Sequence, residues 1–293
     1  DLGEAIPYAE EGVLNLPVGS VLTKTFYYPE GEGGAVLAQA PQDSAAIDLS
    51  TARLIETRVL VHREAGWQAL TYVWNEAETD AILQRAGARE TLHLIRADGS
   101  AEDFIYTVPN VTQCAACHAP NATTRTLQPL GPRVPNLNRT YPYADGTANQ
   151  LDRLVQHGWL AGAPHSFAEA PRTVAWTDEA APVEARARAY LDGNCAHCHN
   201  AVGPADTSGL MLEASAPFGR ATGLCKLPVA AGAGTGNHRF DIVPGEPDQS
   251  VLIYRLQSED PAVMMPEIGR AVTHREGVAL LEAWIESMAG GCS

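Results

Sequence analysis

Cys114-Ala115-Ala116-Cys117-His118 and Cys195-Ala196-His197-Cys198-His199 repeat one spacing, two thiols three residues apart followed at once by an imidazole. That spacing has a chemical use. Two thiols so placed can add to the two vinyl groups of one haem, and the adjoining histidine then sits under the iron as its proximal ligand. A bare C-x-x-C is also half of a zinc site or a thioredoxin-like redox pair, but a zinc ribbon has no need of histidine directly after the second cysteine of each pair. The repeat therefore predicts two covalently bound haem c groups, one held by Cys114, Cys117 and His118 and the other by Cys195, Cys198 and His199. The competing reading is two surface turns that happen to carry Cys and His.

A low-spin, electron-carrying iron takes a sixth ligand from its far side, and a methionine in a later loop is the usual donor. Pro261-Ala262-Val263-Met264-Met265-Pro266-Glu267 stands just ahead of an amphipathic segment, Glu276 to Met288, with Val278, Leu281, Trp284, Ile285 and Met288 on one face. Adjacent side chains leave an extended loop in different directions, so one of the two methionines faces the iron. Met265, which precedes Pro266, is the expected ligand and Met264 the alternative; Met211 and Met288 are expected in the core. Thioether ligation raises a reduction potential relative to two imidazoles, which makes the second site the higher-potential one.

The first motif lacks such a partner in the usual place, since no Met, His or Lys lies between His118 and Asn149. A histidine from elsewhere can reach over, with His157 as first choice and His165, His62 and His93 as further candidates. Alternatively, water or a loop Asn or Tyr fills the position, or it is open and reactive. His62 and His93 are themselves expected at a surface or strand edge.

Several elements must position these groups. Residues 1–108 contain no Cys and read as strands: Leu16 to Pro29, then Leu54 to His62 and Trp67 to Trp74 around Ala65-Gly66, then Thr91 to Ile95 and Asp103 to Val108 around Asp98-Gly99. Asn75 to Leu83 reads as a short helix with Asn75 as N-cap. The approach to Cys114 reads as extended, and the Pro- and Asn-rich stretch from Ala119 to Arg139 as a wrap around a haem edge. Asn149 to His157 predicts a helix closed by Gly158. Ala161 to Pro182 is a linker, and Glu184 to Leu191 a helix running straight into the second motif. Asp241 to Leu256 reads as a turn and a helix capped by Asp248 or Ser250. Gly223 to Gly236 reads as an inserted loop, and its Gly-x-Gly string is no nucleotide site because it follows no strand of a βαβ unit.

At 293 residues, with 20 basic and 35 acidic side chains, the chain has a formal charge of −15, which the haem propionates would deepen. That charge argues against nucleic acid and anionic membrane surfaces as partners, and a basic redox partner fits. No run of 18 apolar residues exists, so no helical span is expected. Four of the six cysteines belong to the motifs. Haem attachment takes place on the oxidising side of the bacterial inner membrane, so the remaining pair, Cys225 and Cys292, is expected to form a disulfide. Export is required by the same chemistry, so the chain is expected to be a mature form whose leader has been removed, in the periplasm or at the cell surface, where a lipid anchor is one route.

The run Arg186 to Leu191, Cys195 to Asn200, Thr207-Ser208-Gly209-Leu210, Asp241 to Arg255 and Met265 to Arg270 resembles a family of exported di-haem c-type cytochromes of Gram-negative bacteria with no assigned substrate. The likeness extends to Pro17–Tyr28, Glu56–Asn75 and Asn149-Gln150-Leu151. It implies an electron-transfer protein and, as a possible partner, a parallel β-helix protein. The expected fold is a multidomain α+β chain. Residues 1–108 form the β-rich domain, with 109–180 and 181–293 as two mainly α-helical cytochrome c-like domains, the second of class I. Single-electron transfer between redox partner proteins is the first functional reading. A di-haem peroxidase-like oxidoreductase with its chemistry at the first haem is the alternative, and a haem-bearing binding or sensor subunit the third. No catalytic acid or base can be placed at the first site from sequence, which ranks electron transfer above the enzyme.

Overall fold

A computed structural model describes residues 3–38, 49–229 and 231–293. Asp1 and Ala230, to which the expectations of a removed leader and of a glycine-rich loop extend, lie outside the described residues. The chain is a mixed α+β protein with a β-rich N-terminal region and a more helical C-terminal half. It divides into two compact units, Asp1–His118 with Leu127–Thr173, and Ala119–Thr126 with Val174–Ser293.

In chain order the strands of the first unit are β1 (Ile6–Pro7), β2 (Val21–Pro29), β3 (Val36–Leu37), β4 (Ala52–Arg63), β5 (Gly66–Trp74), β6 (Ala81–Leu83), β7 (Ala88–Ile95) and β8 (Ala101–Val108). They are followed by helices α1 (Val111–His118) and α2 (Val134–Leu137), the hairpin β9 (Thr140–Tyr143) and β10 (Gly146–Asn149), helix α3 (Gln150–Gln156) and β11 (Leu160–Ala161). One sheet runs β2-β4-β5-β6 and a second β3-β7-β8. β4 and β5 form the expected hairpin, as do β7 and β8. From Glu56 to His62 the even-numbered residues of β4 share one face, buried at Glu56 and half-buried beyond it, and a bulge opposite Phe26 and Tyr27 ends that alternation. Tyr106 of β8 reaches Glu56, α1 packs on β5, and Leu22 and Trp67 join a core of Ile6, Leu14, Leu16, Val134, Leu151, Leu160 and Phe167.

Two sequence expectations fail here for local reasons. Asn75 to Leu83 is a turn followed by β6, not a helix. Asn75 Oδ1 accepts from Thr79 N–H at 3.0 Å, Glu78 accepts from Leu54 N–H at 3.1 Å, and residues 81–83 pair with β5. The side chains read as a helix start are spent on a loop and on the neighbouring strand. Conversely, the approach to Cys114 is helical. Asn110 and Gln113 exchange reciprocal bonds, Gln113 N–H to Asn110 Oδ1 at 2.9 Å and Asn110 N–H to Gln113 Oε1 at 3.0 Å, the reciprocal arrangement of a capping box that starts α1.

The second unit contains α4 (Val183–Asn194), α5 (Val251–Gln257) and α6 (Arg275–Glu286). Ala187 and Leu191 of α4 meet Val278, Leu281, Trp284 and Ile285 of α6, with Ile253 and Leu256 of α5 closing the core. The helices approach closely at Gly277, where any side chain would strike the Tyr190 hydroxyl. Met288 packs against this core as expected. Ser250 precedes α5 but does not cap it. Its hydroxyl is buried, donating to Glu246 O at 3.1 Å and accepting from Val243 N–H at 2.9 Å.

Cys225 and Cys292 form the expected disulfide, with Cα atoms 5.3 Å apart and a sequence separation of 67. The glycine-rich loop it anchors lies on α5, and at Gly236, with φ +57°, a Cβ would fall 2.6 Å from the Tyr254 ring. Loop-closure entropy for that separation corresponds to about 4 kcal/mol. The double variant Cys225→Ser/Cys292→Ser is accordingly expected to lose stability of that order, measured by denaturant unfolding under non-reducing conditions.

Candidate metal centres

The first centre is built on α1, which carries Cys114, Cys117 and His118 within two turns. Cys114 is buried. Burial pushes its thiol up, while the Arg58 charge and a hydrogen bond with Thr71 partly offset that shift. His118 Nδ1 lies 3.1 Å from the Gln128 carbonyl oxygen. A carbonyl only accepts, so Nδ1 carries the proton and donates. In the neutral ring the lone pair then belongs to Nε2.

The second centre follows α4. Cys195 sits at its C-terminal cap, and its N–H donates to Leu191 O at 2.8 Å. The chain then turns back, with His199 N–H donating to Cys195 O at 2.9 Å. Cys195 is half-exposed as a residue, yet its thiol is enclosed, and burial pushes it up to about 12. His199 Nδ1 lies 3.1 Å from Ser208 Oγ. Because that hydroxyl donates its own proton to Ala205 O at 2.7 Å, it accepts from the imidazole. Burial first, then the charges of Arg255, His197 and Lys226, bring His199 down to about 4. The ring is therefore neutral at physiological pH, with its lone pair on Nε2, the form a metal requires.

Met265 lies between α5 and α6 and is half-buried, as is Met264. Arg255 of α5 joins this loop to the motif. Its carbonyl accepts from Met265 N–H at 3.0 Å, its Nε donates to Val263 O at 2.8 Å, and its charge acts on His199. Met264 N–H turns back to Asp260 O at 2.7 Å. Met211 is half-buried, its N–H donating to Ala221 O.

The other expected histidines are placed differently. His157 is exposed at the end of α3, stacked on Trp159 with ring centroids 5.0 Å apart. His165 is exposed, and His93 pairs with Asp103 at the surface. His62 is half-buried, stacked on Trp67 with centroids 4.5 Å apart, and its Nδ1 lies 2.8 Å from Leu16 O.

A covalently bound haem fits these donors. Each motif supplies two thiols and one imidazole whose tautomer leaves Nε2 as the basic nitrogen. Buried polar atoms in proteins are almost always bonded, so orphans mark where a further group belongs. Among the described residues three side-chain nitrogens are buried without a partner: Arg153 Nε on α3, away in sequence from either motif, His197 Nδ1, inside the second motif, and Arg270 Nε. Arg270 acts electrostatically on Tyr190, which also feels Cys195. Arg270 is thus a donor that a haem carboxylate could take. Among the same residues no three His, Cys, Asp or Glu side chains converge as a bare metal ion would need.

The Asn110-x-x-Gln113 capping box is legible in the sequence and was the missed signal at the first site. Thr71, Arg58, the Gln128 carbonyl and Arg255 carry no such signal, because only tertiary packing brings them to the motifs. Compared with family models, curated proteins and solved structures, the chain gives no match.

Proposed function

We propose that the chain is a di-haem c-type cytochrome that carries single electrons between periplasmic or cell-surface redox partners. The observation that carries this reading is the matched tautomer of the two motif histidines. His118 donates Nδ1–H to Gln128 O and His199 donates Nδ1–H to Ser208 Oγ. Metal-ligating histidines are characteristically held by such a bond on the other ring nitrogen. Haem supplies a ferric/ferrous one-electron couple when bound. The chain's own residues do the rest: Cys114, Cys117, Cys195 and Cys198 anchor, His118 and His199 present Nε2, and Met265 completes the second site.

In this reading residues 109–180 and 181–293 are the two cytochrome c-like domains. The packing of α4 on α6 and a methionine loop between α5 and α6 support class I for the second, in line with the exported di-haem family that the sequence resembles. The disulfide suits an oxidising compartment. Among the described residues no helix is long and apolar enough to cross a membrane. A charge of −15 favours basic redox partners, with a parallel β-helix protein as one proposed partner.

Ser208→Ala removes the acceptor of His199. It is expected to speed displacement of the second haem's protein ligands by added cyanide about 10–100-fold while sparing the first haem, followed by stopped-flow absorbance. The functional reading is tested by optical and EPR spectra of the oxidised holoprotein. Two low-spin signals that titrate reversibly with one electron each support the carrier. A high-spin signal altered by peroxide would move the assignment to a peroxidase-like enzyme at the first haem.

A further inference from the structure

Beside the first motif the four-stranded sheet carries a row of side chains that haem attachment does not account for. Lys24 of β2 is registered against Arg58 of β4, and Arg58 against Thr71 of β5. Directly opposed residues project to the same side, and like charges so opposed weaken a sheet. Both cations rest on one ring, with Lys24 Nζ 4.8 Å and the Arg58 guanidinium carbon 4.1 Å from the centre of Phe26.

One carboxylate answers them from below. Glu56 is fully buried and accepts Arg58 Nε at 2.9 Å, Arg58 Nη2 at 2.5 Å and the Tyr106 hydroxyl at 2.7 Å. Glu56 fixes Arg58 in place, but the row still has two positive charges against one negative. Lys24 has an exposed side chain, yet enough protein surrounds its ammonium that desolvation and then the Arg58 charge lower its pKa, with Glu56 partly offsetting them. At its other end the row reaches Cys114, which bonds Thr71 and feels Arg58. A surplus of positive charge at this point, one of its two cations fixed by Glu56, is a feature that an anion would satisfy in a chain of charge −15.

We propose that Lys24 and Arg58, seated on Phe26 and held by Glu56, form a carboxylate-binding seat beside the first C-x-x-C-H motif, occupied by a propionate of the first haem or by a small free carboxylate. The first source rests on the di-haem reading; the second does not.

The test compares wild-type holoprotein with Lys24→Glu and the charge-conserving Lys24→Arg. Lys24 is exposed, so neither change threatens folding. Covalent haem is counted first in each protein by the pyridine haemochrome. In an optical redox titration, a propionate seat predicts that Lys24→Glu raises the ferric-to-ferrous ratio of the first haem roughly threefold to tenfold at fixed potential. The second haem stays unchanged and Lys24→Arg behaves as wild type. In the second arm, acetate is titrated against thermal unfolding. A seat for a free carboxylate predicts saturable stabilisation of wild type and Lys24→Arg that is absent in Lys24→Glu. If the redox ratio and the acetate response are both the same in all three proteins, the seat is overturned. If wild type carries no haem, the di-haem reading fails by itself and the acetate arm alone decides the seat.

Discussion

Replacing Cys195 and Cys198 with alanine is expected to leave a chain that holds one haem covalently instead of two. Alanine has no nucleophile to add to a vinyl group, so both thioether bonds to this haem would be lost together. The first motif should be untouched. It belongs to a different compact unit, with its own core around Val134 and Leu151 and its own capped helix. The reciprocal change, Cys114→Ala with Cys117→Ala, should remove the other haem. Haem retained by each protein after acidic acetone extraction, together with its intact mass, reads the outcome directly. The second unit should also soften when its haem is lost, because Cys195 packs against the Leu191, Leu281 and Trp284 core.

Met265→Ala is expected to change the second haem alone, converting it from low to high spin and lowering its reduction potential. Axial ligands set haem potentials over a range of roughly 0.8 V, and loss of a thioether should shift this one by on the order of 0.1 V. Arg255 is the reason for expecting a local effect. It holds the loop through two backbone contacts, at Met265 N–H and Val263 O, and the loop should keep its path when the side chain is cut back. Met264→Ala is the companion measurement. Spectra that change in that variant and not in Met265→Ala would reassign the ligand to the neighbouring methionine.

Both predictions start from motifs visible in the sequence, and much of the surrounding fold was legible as well. Alternation in Leu54–His62 and Trp67–Trp74 was enough for the β4–β5 hairpin, because β-branched and aromatic residues flank a glycine at φ +106°. The 3.6-residue pattern of Val278, Leu281, Trp284 and Ile285 likewise marked α6, and cysteine arithmetic marked the Cys225–Cys292 bridge. Failures occurred where a polar side chain had two possible uses. Asn75 looks like a helix cap but closes a loop onto Thr79; Asn110 looks like a loop residue but caps α1 with Gln113. Deciding between them takes the neighbouring strand or helix, which local sequence does not contain. The site shows the same division. Thiols and imidazoles are fixed by spacing, whereas the groups that orient them are not. Gln128 contributes a backbone carbonyl, Ser208 lies nine residues beyond His199, and Arg58 arrives from a strand 56 residues before Cys114.

In the proposed function two haems are covalently attached, one at each motif. The most direct test of that attachment is the pyridine haemochrome of the full chain, made in a host with a cytochrome c maturation system and normalised to protein by amino-acid analysis. The expected result is the spectrum of haem with both vinyl groups saturated, at two haems per chain, retained after denaturation. A colourless chain, or haem that is extracted completely by acidic acetone, would contradict it.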